Sequence, residues 1–319
     1  MTPAWAVGLW LAAALPAPKP PPDTAPLQRE ASLEQAARWA QAGRRLEAVA
    51  LLRRVADRFD SVRALLMLAR LQAAGHETRA ALASLRRARE LAPDSEEVLG
   101  ASAQASLAAG RPLEALGFLE PLTRIAPEVP EHHSRLGVCL VQLGDFARAA
   151  ESLERARSLE PDHPLTLIAL GLALNGLKRY PDARPVLERA LELQPDDVEG
   201  LAALAESEEG LGDEGAAEDH AERALAKAAG HGRANLVLGM LRLKQERHAE
   251  ARDALRRAVA ADPGSPKAHY QLSLALARLG DDAGARAQRG LYEARLADAE
   301  ARLKRLRGEG AGEKQGMHP

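Results

Sequence analysis

Disulfide frameworks and cysteine-based zinc clusters are excluded at the outset, because the 319-residue chain has a single cysteine, Cys139. Aromatic residues make up only 3 % of the sequence. A sheet-rich protein draws on aromatic and β-branched side chains, so this shortage argues against strands. A basic excess is missing too: 43 Lys and Arg meet 45 Asp and Glu, for a net charge of −2. Nucleic-acid binders carry a strongly cationic face, so no nucleic-acid partner is expected. What the chain has in abundance is alanine, 67 residues within an apolar fraction of 46 %. Alanine and leucine are the strongest apolar helix formers, and the composition reads as all-α.

The beginning of the chain differs. AWAVGLWLAAALPA (4–17) is apolar and uncharged, and PAPKPPPDTAP (16–26) follows. This apolar stretch is shorter than the roughly 20 helical residues that a bilayer core requires. It does suit the apolar region of a secretory signal, with Ala14 and Ala17 as small residues for cleavage. Residues 1–17 therefore read as a signal peptide or a short hydrophobic leader, and 18–28 as an extended Pro-rich linker. No Lys or Arg precedes the apolar stretch, and Pro18 directly follows Ala17, which both count against cleavage. An exported protein, periplasmic or secreted, is the expectation, with a cytoplasmic one as the alternative. Membrane contact is expected only through an uncut leader.

Beyond the leader, one ending recurs: ARELAPDS (88–95), ARSLEPDH (156–163), ALELQPDD (190–197) and AVAADPGS (258–265). Proline lacks an amide hydrogen and clashes with the preceding turn, so each ending stops a helix. The prolines stand at Pro93, Pro127, Pro161, Pro195 and Pro263, at intervals of 34, 34, 34 and 68 residues, with Ala229 where the missing one belongs. A fixed period in this range marks a repeat architecture. Units 62–95, 96–129, 130–163, 164–197, 198–231, 232–265 and 266–299 align in columns. Position 20 is alanine in every one: Ala81, Ala115, Ala149, Ala183, Ala217, Ala251 and Ala285. Position 8 is always small, as in Ala69, Gly137 and Gly171, and position 24 is mostly leucine, as in Leu85, Leu153 and Leu187.

Two antiparallel helices approach closely only where side chains are small, which is the part positions 8 and 20 play. Leucines around the crossing fill the remaining space, each worth roughly 1.5–3 kcal/mol when buried. Asp94, Asp162, Asp196 and Ser265 are expected to cap the helices that follow, with Glu97 completing a capping box after Asp94. Unit 198–231, with Gly210, Gly212, Gly215, Ala221 and Ala229, departs most from the pattern and reads as the least stable step.

The period and the small–Ala–Pro columns resemble the tetratricopeptide repeat family, shown best by Leu170-Gly171, Leu174, Tyr180, Ala183, Leu187, Ala190 and Pro195. Segment 29–61 looks like a degenerate first unit, so the resemblance covers about 29–299. It implies a right-handed α-solenoid of about eight 34-residue helix-turn-helix repeats with a C-terminal capping helix. That helix is placed at 284–307 and a disordered tail at 308–319. The resemblance also implies a concave groove, lined by the first helix of each unit, that takes a peptide or a partner's helix.

With positions 4, 7, 8 and 11 turned toward the partner helix, positions 2, 5, 9 and 12 project into the groove. Basic residues there are Arg63 and Arg70. An apolar stretch follows, with Val138, Val141, Leu165, Ile168 and Leu172, and Asn175 beside it. Glu199, Glu206 and Glu209 are acidic, and Leu236, Met240 and Tyr270 are apolar again, with Arg233 at the edge. Two readings stay open for this set: anchors for an amphipathic segment, or packing between successive first helices.

No zinc-protease motif, nucleophile arrangement or phosphate-cradling glycine loop is present, the nine histidines are scattered and read as surface residues, and Cys139 reads as a small buried hydrophobe. No cofactor or metal is expected. The expected function is a non-enzymatic adaptor for a protein or peptide partner, with envelope or secretion assembly as a setting; a self-associating scaffold is the alternative.

Overall fold

The computed structural model describes residues 25–306. The leader, the linker up to residue 24 and the tail lie outside the described residues. Sixteen helices and no strand occur among those described, arranged as consecutive pairs. The first four pairs are α1 (Ala25–Gln41) with α2 (Arg45–Phe59), α3 (Val62–Ala74) with α4 (Thr78–Leu91), α5 (Glu96–Ala108) with α6 (Pro112–Ile125), and α7 (Pro130–Leu143) with α8 (Phe146–Leu159). Then come α9 (Pro164–Gly176) with α10 (Tyr180–Leu193), α11 (Val198–Leu211) with α12 (Glu214–Lys227), α13 (Gly232–Lys244) with α14 (His248–Ala261), and α15 (Pro266–Arg278) with α16 (Asp282–Leu306). Each second helix packs on the first helix of the following pair, and the first helices also stack on one another from α7 through α15. The result is an α-solenoid. Helix α1 begins at Ala25, inside the stretch read as linker.

The small columns sit where the helices cross. Ala81, Ala115, Ala149, Ala183, Ala217 and Ala251 are all buried. A Cβ placed on Gly137, Gly171 or Gly239 lands inside the side chain of Leu153, Leu187 or Leu255, so the leucine of position 24 fills the space that glycine leaves at position 8. Between the helices of a pair, position 15 takes a left-handed conformation in every unit. Gly110, Gly144, Gly212 and Gly280 supply it with φ of 67, 83, 83 and 80°. His76, Lys178 and Glu246 adopt φ 59° at the same place.

Successive units interlock as well. The Phe146 ring lies against Gly176 and the Tyr180 ring against Gly210, each aromatic covering a glycine of the next unit.

The second helices stop two residues before each proline, as at Leu159 and Leu193. Helix α12 stops in the same register at Lys227, although Ala229 replaces the proline. There the Asn235 side-chain amide donates to the carbonyls of Ala229 and His231, both at 2.9 Å, and Arg257 donates to its oxygen at 2.8 Å. His133 and His269 stand at the equivalent position and meet the carbonyls of Pro127 and Pro263 at 2.9 and 3.1 Å. A polar side chain at position 4 thus ties down the connecting loop, with or without proline.

Three of the four caps fall one residue later than the sequence led us to expect, while Ser265 caps its helix as expected. Ser95, His163, Asp197 and Ser265 accept from the amides of Val98, Thr166, Gly200 and Ala268, not Asp94, Asp162 or Asp196. The residue after proline is still in the turn, and the following one has the extended backbone that a cap requires. The displaced acids serve elsewhere: Asp162 pairs with Arg189 and Asp196 with Lys227, each at 3.0 Å. Glu97 forms no capping box and pairs instead with Arg70 at 3.0 Å.

The apolar core is divided along the ribbon. One cluster runs from Leu33 to Val98, a central one from Leu99 to Leu204, and a third from Leu236 to Leu276. Between the second and third lie two small alanine-rich clusters around α11 and α13. In the unit that departs most from the pattern, α12 buries only Ala217, Ala221 and Ala224, but α11 is buried at every position from Gly200 to Glu208. Its small side chains let the flanking first helices close in. Two of the histidines expected at the surface, His132 and His269, are buried and hydrogen-bonded for the same reason, lying where successive helices meet.

Candidate functional site

Three connected hollows follow the first helices of the N-terminal half. The first, about 500 Å³, is lined by Val62, Arg63, Leu66, Met67, Arg70 and Glu97. The second, about 630 Å³, shares Arg70 and Glu97 with it and has a floor of Gly100, Ala101, Gln104, Ala105 and Ala108 from α5. Glu96, His132 and Arg135 form part of its wall, and His132 Nε2 lies 3.0 Å from Glu96. The third, about 180 Å³, shares Arg135 and is bounded by Leu107, Ser134, Val138, Leu165 and Thr166. Together they make a groove from α3 to α9. Its rim is charged, with Arg63 paired to Glu30 at 2.8 Å and Arg70 to Glu97 at 3.0 Å, and its floor is apolar. A further cavity of about 620 Å³ lies between α8 and α10, away from this groove, and its Arg157, Arg179 and Arg189 all have acidic partners.

Among the sequence candidates, Arg63, Arg70, Val138 and Leu165 line these hollows, and Leu165 is 60 % exposed. Val141 and Leu172 are half-buried on the edge of the central cluster. Met240 is half-buried on the C-terminal cluster, and Tyr270 is exposed with its ring 5.3 Å from that of Tyr292. Four others do not face open space. Ile168 and Leu236 belong to the core, at 5 % and 9 % exposure. Asn175 donates to the Ala203 carbonyl at 2.8 Å and accepts from Ser207 at 2.7 Å. Glu206 is buried beneath Arg233 and Lys267. For these four, packing between first helices describes the surroundings. Curvature brings α9, α11 and α13 together because Ala202, Ala203 and Ala205 offer no bulk to hold them apart.

The floor of α5 was not among the sequence candidates. The signal was there: position 5 holds Leu66, Ile168 and Leu236 in other units but Gly100 here, and Ala101 follows. Small residues were read only as contacts between paired helices, whereas here they create empty volume.

The C-terminal half is closed by charge. Glu206 contacts Arg233 and lies 3.0 Å from Lys267, two units away in sequence. Glu199 joins Arg233 at 3.1 Å and His231 at 3.0 Å, and Glu209 meets Lys244 at 2.7 Å. Burial alone pushes the Glu206 carboxyl up, but the charges of Arg233 and Lys267 overcome it and hold the group below the ordinary carboxylate range. Glu199 is likewise held down by His231 and Arg233 against burial. The acidic patch expected to face a partner is therefore neutralised within the chain.

Burial pushes the Cys139 thiol up to about 11, and its Sγ donates to the Pro112 carbonyl at 3.2 Å. No group of three or more His, Cys, Asp or Glu among the described residues is placed to hold a metal ion. No described helix is long and apolar enough to cross a membrane.

Stacked helical hairpins with a groove on the first helices define a class, the α-solenoid interaction scaffolds. The chain belongs to the tetratricopeptide repeat family: one family model of that description matches residues 63–95, and another matches 100–164, 134–198, 168–232, 202–266 and 236–295. Among solved structures, a tetratricopeptide repeat protein from Parabacteroides merdae is similar at 15 % identity and TM-score 0.60, over 78 % of this chain and 99 % of that one. The Cut9-Hcn1 hetero-tetramer of the APC/C is similar at 18 % identity and TM-score 0.58, over 77 % and 48 %. The C-terminal part of a repeat protein from Cytophaga hutchinsonii is similar at 17 % identity and TM-score 0.51, over 75 % and 99 %. No curated protein matches at a significant level.

Proposed function

We propose that this repeat protein is a non-enzymatic adaptor that captures an amphipathic segment of a partner protein in the groove from α3 to α9. The connected, apolar-floored hollows carry this reading. Grooves of this kind anchor apolar side chains in pockets and orient the ligand by rim charges. Burial raises the pKa of the Cys139 thiol and disfavours its nucleophilic thiolate form at neutral pH. Export through the leader, and service in envelope or secretion assembly, belong to the same reading and rest on sequence 1–17 alone.

Ile168 and Asn175 are unsuitable probes, being buried. The test is a crosslinking capture with the full chain against an Ala101→Trp, Leu165→Glu variant, which fills one hollow and charges another. The variant is expected to keep its helical circular dichroism and lose its partner. Undiminished capture would sink the proposal. Concentration-dependent light scattering of the purified chain would point to self-association instead.

A further inference from the structure

Helix α16 is the longest of the described helices, 25 residues or about 37 Å. Its beginning packs on α15, with Gln288 2.7 Å from His269 and the Tyr292 ring 5.3 Å from that of Tyr270. Tyr270 is at a groove position of the last unit, so α16 has reached the concave side by Tyr292. Farther on, Arg295, Ala299, Arg302, Leu303 and Leu306 are half-buried while the residues between them are exposed. Their spacing marks one stripe of a helix. A helix that merely ended the array would have nothing beyond α15 to bury that stripe.

The tip identifies what it touches. Leu306 packs against the central apolar cluster, which runs from Leu99 to Leu204. The end of the helix therefore reaches the central units. Nothing polar fastens it: among the described residues, no hydrogen bond or ion pair joins residues 289–306 to another helix, and Arg295 Nε is buried without a partner. A tethered segment needs only weak contacts to stay in place, because its effective concentration is high.

We propose that residues 292–306 are a strap whose tip rests on the central units beside the concave groove, and that a partner's amphipathic helix displaces it. The inference rests on the adaptor reading and adds the class of partner: a helix whose docking stripe mixes arginine with alanine and leucine, the pattern that α16 itself presents in Arg295, Ala299, Arg302, Leu303 and Leu306. The segment RGLYEARLADAEARLKRL (289–306) carries five basic and three acidic residues.

Two measurements on the full chain test it. The first is a spin-label distance between Glu131→Cys and Arg305→Cys; Cys139 is buried and does not compete for label. A short distance that lengthens when Leu306→Glu is added is expected. A long distance without that substitution overturns the strap. The second uses a fluorescent peptide of residues 288–306, expected to bind the Leu306→Glu chain about tenfold more tightly than the unsubstituted one, as release of a closed state requires. Equal binding to both overturns the strap, and no binding to either overturns the partner class. A short distance combined with failure of groove-dependent capture would leave the strap standing and remove the adaptor reading; a long distance with capture intact does the reverse.

Discussion

Helices α5 and α11 hold the same place in their units and are both rich in small residues, yet they treat the concave surface in opposite ways. Around α5, Gly100, Ala101 and Ala105 leave a hollow of about 630 Å³. Around α11, Ala202, Ala203 and Ala205 are fully buried because the neighbouring helices have closed in. Charge separates the two cases. The acids of α11 draw Arg233, Lys244 and Lys267 across from α13 and α15, while Glu97 of α5 meets Arg70 at an exposed rim. Small side chains permit close approach without compelling it; an attraction across the gap decides whether the space is kept or lost.

The contrast is broken most strongly by removing Glu206. Glu206→Ala leaves Arg233 partly buried with one acidic partner fewer, and about 2–3 kcal/mol of stability is expected to go in a urea melt. Glu97→Ala removes an exposed pair and is expected to cost less than about 0.5 kcal/mol. A similar loss in both variants would mean that the two halves are closed alike.

Bulk gives the next largest effect. Ala183→Trp overfills a fully buried helix crossing and is expected to cost roughly 1–3 kcal/mol or more. Ala101→Trp enters open space and should cost less than 1 kcal/mol, on the order of an ordinary surface change, while blocking the groove.

Acid sharpens the comparison through hydrogen exchange. Glu199 and Glu206 have folded-state pKa values held below the ordinary range, so their contribution is present above the unfolded carboxylate pKa of about 4.3 and is lost as pH falls through the folded values. Amides of 198–245 are expected to lose protection below about pH 4 before those of 96–130 do. Uniform loss along the array would contradict the ionic closure. His220 runs the other way: the hydrogen bond to Glu208 raises its pKa, so its contribution is complete below about pH 6.5 and fades as pH rises through the raised value.

The smallest effect concerns the turns. Lys178→Gly places glycine where φ is 59°, relieving left-handed strain at some entropic cost, and a gain of about 0.5 kcal/mol is expected in thermal melts.

The period, the buried alanine column and the register of helix ends were legible in the sequence because each follows from contacts within one hairpin. Ala183 against its partner helix needs no knowledge of the rest of the chain. Three of the caps were displaced by one residue because the turn, as after Pro161 and Pro195, takes up an extra position before the backbone extends. The groove was only partly legible. Whether Ile168 faces solvent or Leu165 does depends on how closely successive first helices approach, a property of curvature that no single unit encodes. The path of α16 was hidden for a related reason: its half-buried stripe has the same spacing wherever the helix lies.

Along the opposite edge of the ribbon, acids at the unit junctions reach cations one hairpin further on: Asp60 to Arg87 at 2.9 Å, Glu128 to Arg155 at 2.8 Å, Asp162 to Arg189 at 3.0 Å and Asp196 to Lys227 at 3.0 Å. These rungs are exposed, so added salt weakens them while the alanine crossings inside each hairpin are untouched. Added salt is therefore expected to act at the junctions between hairpins rather than within them, so that a change in the outline of the ribbon in small-angle scattering would come with no loss of helical signal.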